Sequence, residues 1–425
     1  EDCHLSRAND NNAIMAQLLM FGTGFVNFVG LHAYVGGLDD ISAVTVTEFD
    51  EPQAVIGSYL HRYAYPDYYK QHEERGGQLT DGVNHSSGEV NCLQLRGEYL
   101  YVAEKQNGMR VYDVASIANK GVSQKIISAP FSPLGQDIRV ESKAATCVVM
   151  PTNQSIQPSR NTGKLMRETN LEQPFHPLYE YVYITDAIEG LILVDTDTLA
   201  DRDPRNNSLE RALTWNQGGI LNGAKHMVFG GRYAYVVTDV GVVVLNLDEP
   251  LKPRLEARIE LNGAHSVALQ FRYLFVTDED GLKVIDVTRP DSPKLVPENT
   301  IALDSAKRMH LARTYAYVAA GEEGLVIVDI KNPEAMQIYE RISNGLTDVQ
   351  DVVIASTNAS LFGYVADGAG GLKVLQLTAP DTQPNFYGFS PQPKPQVIAS
   401  YRTRSPALAL SRGLERDRGV DETGG

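Results

Sequence analysis

One pattern recurs along this chain and limits what it can fold into. Residues 315–330 read YAYVAAGEEGLVIVDI, and close variants stand at 181–196 (YVYITDAIEGLILVDT), 233–247 (YAYVVTDVGVVVLNL) and 273–287 (YLFVTDEDGLKVIDV). Further copies stand at 99–114 (YLYVAEKQNGMRVYDV) and 362–377 (FGYVADGAGGLKVLQL), with a weaker one at 32–46 (HAYVGGLDDISAVTV). Each copy alternates aromatic or β-branched residues with small ones. A turn then carries Gly and usually an acid, and a second β-branched run follows. Period-two alternation around such a turn is the signature of a β-hairpin.

The hairpin has neighbours on both sides. An apolar run of the form small-x-x-apolar precedes it: AHSVAL at 264–269, AKHMVF at 224–229, AKRMHL at 306–311, and looser forms VQDVVI at 349–354 and VNCLQL at 90–95. A Pro-bearing turn and another strand pattern follow it, as in DEPLKPRLEARIEL and KNPEAMQIYERI. Each repeat therefore predicts four strands. The aromatic anchors Tyr34, Tyr101, Tyr183, Tyr235, Phe275, Tyr317 and Tyr364 are 67, 82, 52, 40, 42 and 47 residues apart. Four strands per ~40–50 residues is the period of a β-propeller blade. The expectation is an all-β, seven-bladed propeller over 21–404, with insertions at about 60–88 and 151–177. Residues 405–425 read as a solvated tail, with an addition to the seam or the surface left open from Ser405 on. The first blade is expected to draw its strands from Phe25–Phe28, Ala33–Val35, Ala43–Val46 and Ala54–Tyr59, so that no C-terminal strand is needed to close the ring.

The chain resembles the LVIVD-repeat propellers. The string LVIVD stands verbatim at Leu325–Asp329, with LILVD at 191–195 and LKVID at 282–286. A single Trp, Trp215, excludes a Trp-Asp signature in every blade. Propellers of this kind are found fused to c-type cytochrome segments. The resemblance thereby lends weight to an odd start, EDCHLSRANDNN, in which Cys3 and His4 are adjacent in a chain with three Cys and nine His. C-x-x-C-H is the haem c attachment motif. Residues 1–20 then read as the end of a haem segment, Cys3 forming one thioether and His4 the proximal ligand, followed by a short helix over Asn11–Met20 capped by Asp10. Candidate distal ligands are His61, His72 and His85 in the first insertion, with Met15 and Met20 next.

Composition narrows the partners. A formal net charge of −15 disfavours nucleic acid and anionic membrane surfaces. Three Cys cannot build a disulfide framework. Residues 13–37 carry no Asp, Glu, Lys or Arg, but their glycines interrupt a membrane helix, and a helix followed by two strands fits them better. Any targeting segment is expected upstream.

Registering the innermost strands gives one residue pair per blade: Val26/Asn27, Asn91/Cys92, Thr146/Cys147, Lys225/His226, His265/Ser266, Lys307/Arg308 and Gln350/Asp351. Inner strands line the axial channel. Lys225, His226, His265, Lys307, Arg308 and Asp351 are therefore expected to converge on one channel mouth as a pocket. A metal site of His226, His265 and His310 is a weaker possibility, since these imidazoles lack a ligand-type spacing. Cys92 and Cys147 share one repeat position in adjacent blades and are expected close but unbridged, as small buried hydrophobes. The repeat-ending acids Asp113, Asp195, Asp286 and Asp329 read as strand terminators, because Asn246 and Gln376 occupy the same slot. No catalytic constellation is apparent. The functional expectation is an accessory or binding propeller of extracytoplasmic electron transfer, in the periplasm or at the cell surface, with haem c and a protein partner, such as a redox protein. The alternatives are a haem-free cell-surface interaction scaffold and a metal-dependent enzyme at the channel mouth.

Overall fold

The alternating runs form strands, and the turns between them put consecutive strands side by side. The computed structural model describes residues 32–412 apart from 49–53, 81, 97–98, 115–137, 152–163, 165–167, 170, 172–175, 201–203, 297–298, 358–359 and 384–390. The fold is a β-propeller. Antiparallel sheets of four strand positions follow one another along the chain, each ordered from inner to outer strand, and in one the outer position is split between Lys294–Leu295 and Ile301–Ala302. One runs His226–Gly230, Tyr233–Thr238, Gly241–Asn246 and Arg254–Glu260. The next sheet starts at Ser266–Gln270, and the two after it at Met309–Ala312 and Asp351–Thr357. The sheet before them begins at Ala145–Val149. The remaining strands form a single eight-stranded sheet that joins two four-stranded halves.

The repeat's glycine has a mechanical reason. Gly241 and Gly281 open the third strand at φ 133° and 129°. A Cβ at either would strike the outer strand's carbonyl, that of Ile259 or Ile301. Only glycine allows the outer strand to lie this close.

Each sheet is apolar on both faces, and the hydrophobic clusters lie between sheets. Tyr235 packs with Val267, Leu269 and Leu274 of the following sheet, and Phe275 with Met309, Leu311 and Val318 of the one after. Tyr317 joins Val352 and Ile354, and Tyr364 joins Ala33, Val35 and Val44, so the series returns to the start of the chain. All seven anchors are buried. Burial pushes the Tyr101 phenol up to about 12, as expected of a hydroxyl held in an apolar seam.

The structure corrects two expectations about the first blade. Its inner strand comes from the C-terminus. Ala409–Arg412 pairs antiparallel with His32–Gly36 and parallel with Cys92–Arg96, in the centre of the eight-stranded sheet. Residues 405–412 are therefore part of the ring, and Ala407, Ala409 and Leu410 are buried. The sequence PALAL carries the inner-strand pattern, Ala407-x-x-Leu410, as do the other inner strands. Its outer strand is Gly82–Ser86, paired with Asp40–Thr45, in place of the expected 54–59. Between them the insertion forms two helices, α1 (Tyr59–Ala64), capped by the Ser58 hydroxyl, and α2 (Pro66–Glu74), opened by a proline. The Phe25–Phe28 segment, the Asn11–Met20 helix and most of 151–177 lie outside the described residues. Among the described residues no helix is long and apolar enough to cross a membrane.

The closing strand is fixed by Asp351, whose carboxylate accepts the Leu410 N–H at 3.0 Å and that of Val352 at 2.9 Å. Ending the chain at Arg404 uncovers the edges of His32–Gly36 and Cys92–Arg96, and should abolish a single cooperative melt by circular dichroism. Asp351→Ala leaves a buried N–H without its acceptor, and should cost about 1–3 kcal/mol in chemical denaturation while keeping the fold.

Candidate functional site: the channel mouth

Strand alternation sends consecutive residues to opposite sides. In the registered pairs, the first residue reaches the axis and the second enters the seam between blades. Asn91, Thr146, Lys225, His265, Lys307 and Gln350 all line one cavity of about 380 Å³, together with Glu89, Val90, Arg308 and Leu408. Leu408 holds the position in the closing strand that Val26/Asn27 was expected to hold; that pair lies outside the described residues. Glu89 and Leu408 were missed, Glu89 because it precedes the registered pair and Leu408 because its strand was read as tail.

The two members that do not reach the cavity are His226 and Asp351, contrary to expectation. Both are buried. His226 Nδ1 accepts the Val267 N–H of the next blade at 3.2 Å, and Asp351 holds Leu410 as described. Arg308 also holds the second position, its carbonyl accepting the Ala319 N–H at 2.9 Å, but its long side chain lines the cavity. Its guanidinium crosses the axis and donates to the Asn91 carbonyl at 2.7 Å, with Cys147 Sγ at 3.8 Å.

The second position of the Asn91 and Thr146 pairs holds the largest departure from expectation. Cys92 and Cys147 are joined in a disulfide, with Cα atoms 4.8 Å apart. Facing positions on adjacent inner strands fall inside the distance a disulfide spans. Spacing in the sequence gave neighbourhood but no sign of oxidation.

An arc of hydrogen bonds ties three consecutive seams of the mouth together. Asn91 Nδ2 donates to the Ala145 carbonyl at 3.1 Å, and Thr146 Oγ1 to that of Ala224 at 2.8 Å. Lys225 Nζ donates to that of Ala264 at 3.2 Å. Each acceptor is the residue just before the next blade's mouth residue. Two lysines are also held by carboxylates, Lys225 by Asp239 at 3.0 Å and Lys307 by Asp348 at 2.9 Å. Burial, and then the Lys225 charge, push the His265 pKa below its ordinary value, so the imidazole is neutral at pH 7.

The other candidates have structural partners. His310 is buried in its strand and does not line the cavity, so His226, His265 and His310 do not meet. Among the described residues no group of three His, Cys, Asp or Glu is placed to hold a metal. Asp195, Asp286 and Asp329 each accept the backbone N–H two residues on, at 2.9, 2.8 and 2.9 Å, as does Asn246 at 3.0 Å. These are strand-ending turns.

Cys3 and His4 lie outside the described residues. Of the candidate distal ligands, His61 is committed at both ring nitrogens: Nδ1 accepts the Gly57 N–H at 3.0 Å and Nε2 meets Glu48 Oε1 at 2.7 Å. His72 Nε2 meets the Ile398 carbonyl at 2.7 Å, holding α2 to the outer strand Gln396–Tyr401. His85 is half-buried on the outer strand and packs edge-on against Tyr112 at 5.1 Å.

Comparison with known proteins agrees with the repeat. The LVIVD repeat matches residues 87–122, 263–298 and 305–343. No curated protein matches. Among solved structures, the chain is similar to a protein from Lactobacillus plantarum at 10% identity and a TM-score of 0.54, over 90% of this chain and 99% of that one. It also matches the Cps50 (Swd1) β-propeller domain from Myceliophteria thermophila (10% identity, TM-score 0.47, 82% and 97% coverage). Apo AztD from Citrobacter koseri is a further match (12% identity, TM-score 0.43, 90% and 98% coverage).

The disulfide closes a loop with a sequence separation of 55, which in the chain-entropy picture stabilises by about 4 kcal/mol. The double variant Cys92→Ser/Cys147→Ser should lose stability of that order, and reductant should shift the wild-type melt but not the variant's. Lys225→Gln removes a charge that depresses His265, while Asp239, Asp278 and Glu279 still act to raise it. The His265 imidazole should then titrate at higher pH, read by NMR.

Proposed function

We propose that this LVIVD-repeat β-propeller is a non-catalytic binding protein of an extracytoplasmic compartment that presents its channel-mouth face to a protein partner. The eight-stranded sheet counts as two blades in this reading, which makes seven in all. The observation that carries the binding role is the makeup of that face. The turns between second and third strands surround the mouth, and three carry exposed apolar tips: Leu38, Ile188 and Val240, at 48%, 56% and 68% exposure. Solvent-facing apolar residues gathered around a polar centre suit a partner surface. The Cys92–Cys147 disulfide supports the compartment, because structural disulfides persist where thiols are oxidised.

A second reading rests on one specific sequence feature, the Cys3–His4 dipeptide. If a Cys stands two residues before Glu1's successor in the haem spacing, that is immediately before Glu1, the propeller is the docking module of a haem c protein, and its partner is a redox protein. The full reading frame and the visible spectrum of protein matured in a haem c-attaching host distinguish the two.

The test of the main reading is crosslinking of the full chain in its native host. Single Asp substitutions at Leu38, Ile188 and Val240 should keep the melt within about 0.5 kcal/mol, as exposed sites do, and remove a specific crosslinked partner. A partner retained by all three variants, or a protein whose two cysteines are both reduced when isolated from its host, overturns it.

A further inference from the structure

The mouth cavity is built unevenly. Lys225, His265, Lys307 and Arg308 come from consecutive blades on one side, whereas the half-buried Leu408 comes from just before the closing strand. Three cationic side chains and one carboxylate, Glu89, line it, in a chain of net charge −15. Glu89 is itself held by Lys105 at 2.8 Å.

The lysines have donors to spare. An ammonium group carries three N–H bonds. Lys225 uses them on Asp239 and the Ala264 carbonyl, and Lys307 on Asp348. Their side chains are 32% and 31% exposed, so each remains open to the cavity. The guanidinium of Arg308 spans the axis from its own blade to Asn91, so the cavity has a cationic group across it. At about 380 Å³ it is at the small end of ligand sites.

We propose that the channel mouth binds a small organic carboxylate, its anionic head against Lys225, Lys307 and Arg308 and its carbon skeleton against Leu408. A compact anion with no apolar part would leave Leu408 uncovered; an uncharged molecule would leave the ammonium groups without a new acceptor. The Asp239 and Asp348 carboxylates already hold the two lysines from outside, so the ligand's carboxylate completes a site that the fold has arranged. This rests on the reading of the mouth as the binding face, but it concerns a ligand smaller than any protein partner and is tested without one.

The experiment is calorimetric titration of the full chain with butyrate, succinate and inorganic phosphate at low ionic strength. Butyrate or succinate should bind saturably, and more weakly as salt is added. Lys225→Gln/Lys307→Gln should weaken binding about tenfold or more, and Leu408→Ser should weaken butyrate more than succinate. Both variants should keep the wild-type circular dichroism spectrum; chemical-shift mapping of wild-type protein on His265 gives the same answer if either fails to fold. Three results overturn the proposal: no carboxylate binds at millimolar concentration, phosphate binds in preference to both carboxylates, or neither binding nor the His265 resonance responds to the mouth. None of these affects the partner reading, which fails only by its own crosslinking test.

Discussion

A four-stranded sheet with two apolar faces is not stable until both are covered, and the rest of this molecule follows from that demand. Tyr34, Tyr101, Tyr183, Tyr235, Phe275, Tyr317 and Tyr364 each sit in the seam toward the following blade. Truncating a fully buried aromatic costs about 3–5 kcal/mol. Such packing gives each blade one covered face from each neighbour, and a linear array would leave two faces bare. The ring must close, and the seam that joins the ends has to be as good as the others. Here the chain's last described strand is set between its first sheet and the next, and the Tyr364 cluster draws on both ends of the chain.

Most of this was legible because the repeat is redundant. One aromatic anchor is ambiguous, whereas seven in register are a fold. The glycine of the turn was visible as a repeated letter, and its cause, the outer-strand carbonyl beside Gly241 and Gly281, is visible only in space. The first blade was misread for a related reason. Its inner strand is far away in sequence, so local reasoning supplied the nearest apolar run. The pattern at Ala407–Leu410 was present, but no hairpin follows it, and without that context it passed for tail. The disulfide was illegible in a different way. Register predicts that Cys92 and Cys147 face each other, but their oxidation depends on the compartment, which register does not report.

The registered pairs also show how one dipeptide can serve two purposes. Its second residue builds the seam: the disulfide at Cys92–Cys147, the imidazole acceptor at His226, the carboxylate at Asp351. Its first residue faces the axis. The sequence reading assigned both residues to the mouth, because a residue-level alignment does not see the strand's alternation until the strand's start is known. Arg308 holds a second position too, and reaches the mouth on the length of its side chain.

The mouth residues are not equally available to a ligand, and side-chain length decides which are. Asn91 and Thr146 are short, and their donors reach the next blade's carbonyl, at 3.1 and 2.8 Å, with little left over for the cavity. Lys225 makes the same kind of bond with a longer stem, and its ammonium retains exposure. The chain therefore uses short polar residues where it needs a tight seam, beside the disulfide, and long cationic ones across the ring, where the seam is held by backbone and by Asp239 and Asp348. The partly exposed cationic groups of the mouth are thus concentrated in the blades of Lys225 and Lys307. Asn91, Thr146 and the Cys92–Cys147 pair are committed to holding the ring together. Substitutions on the first side should alter what the mouth accepts, whereas substitutions on the second act first on the fold.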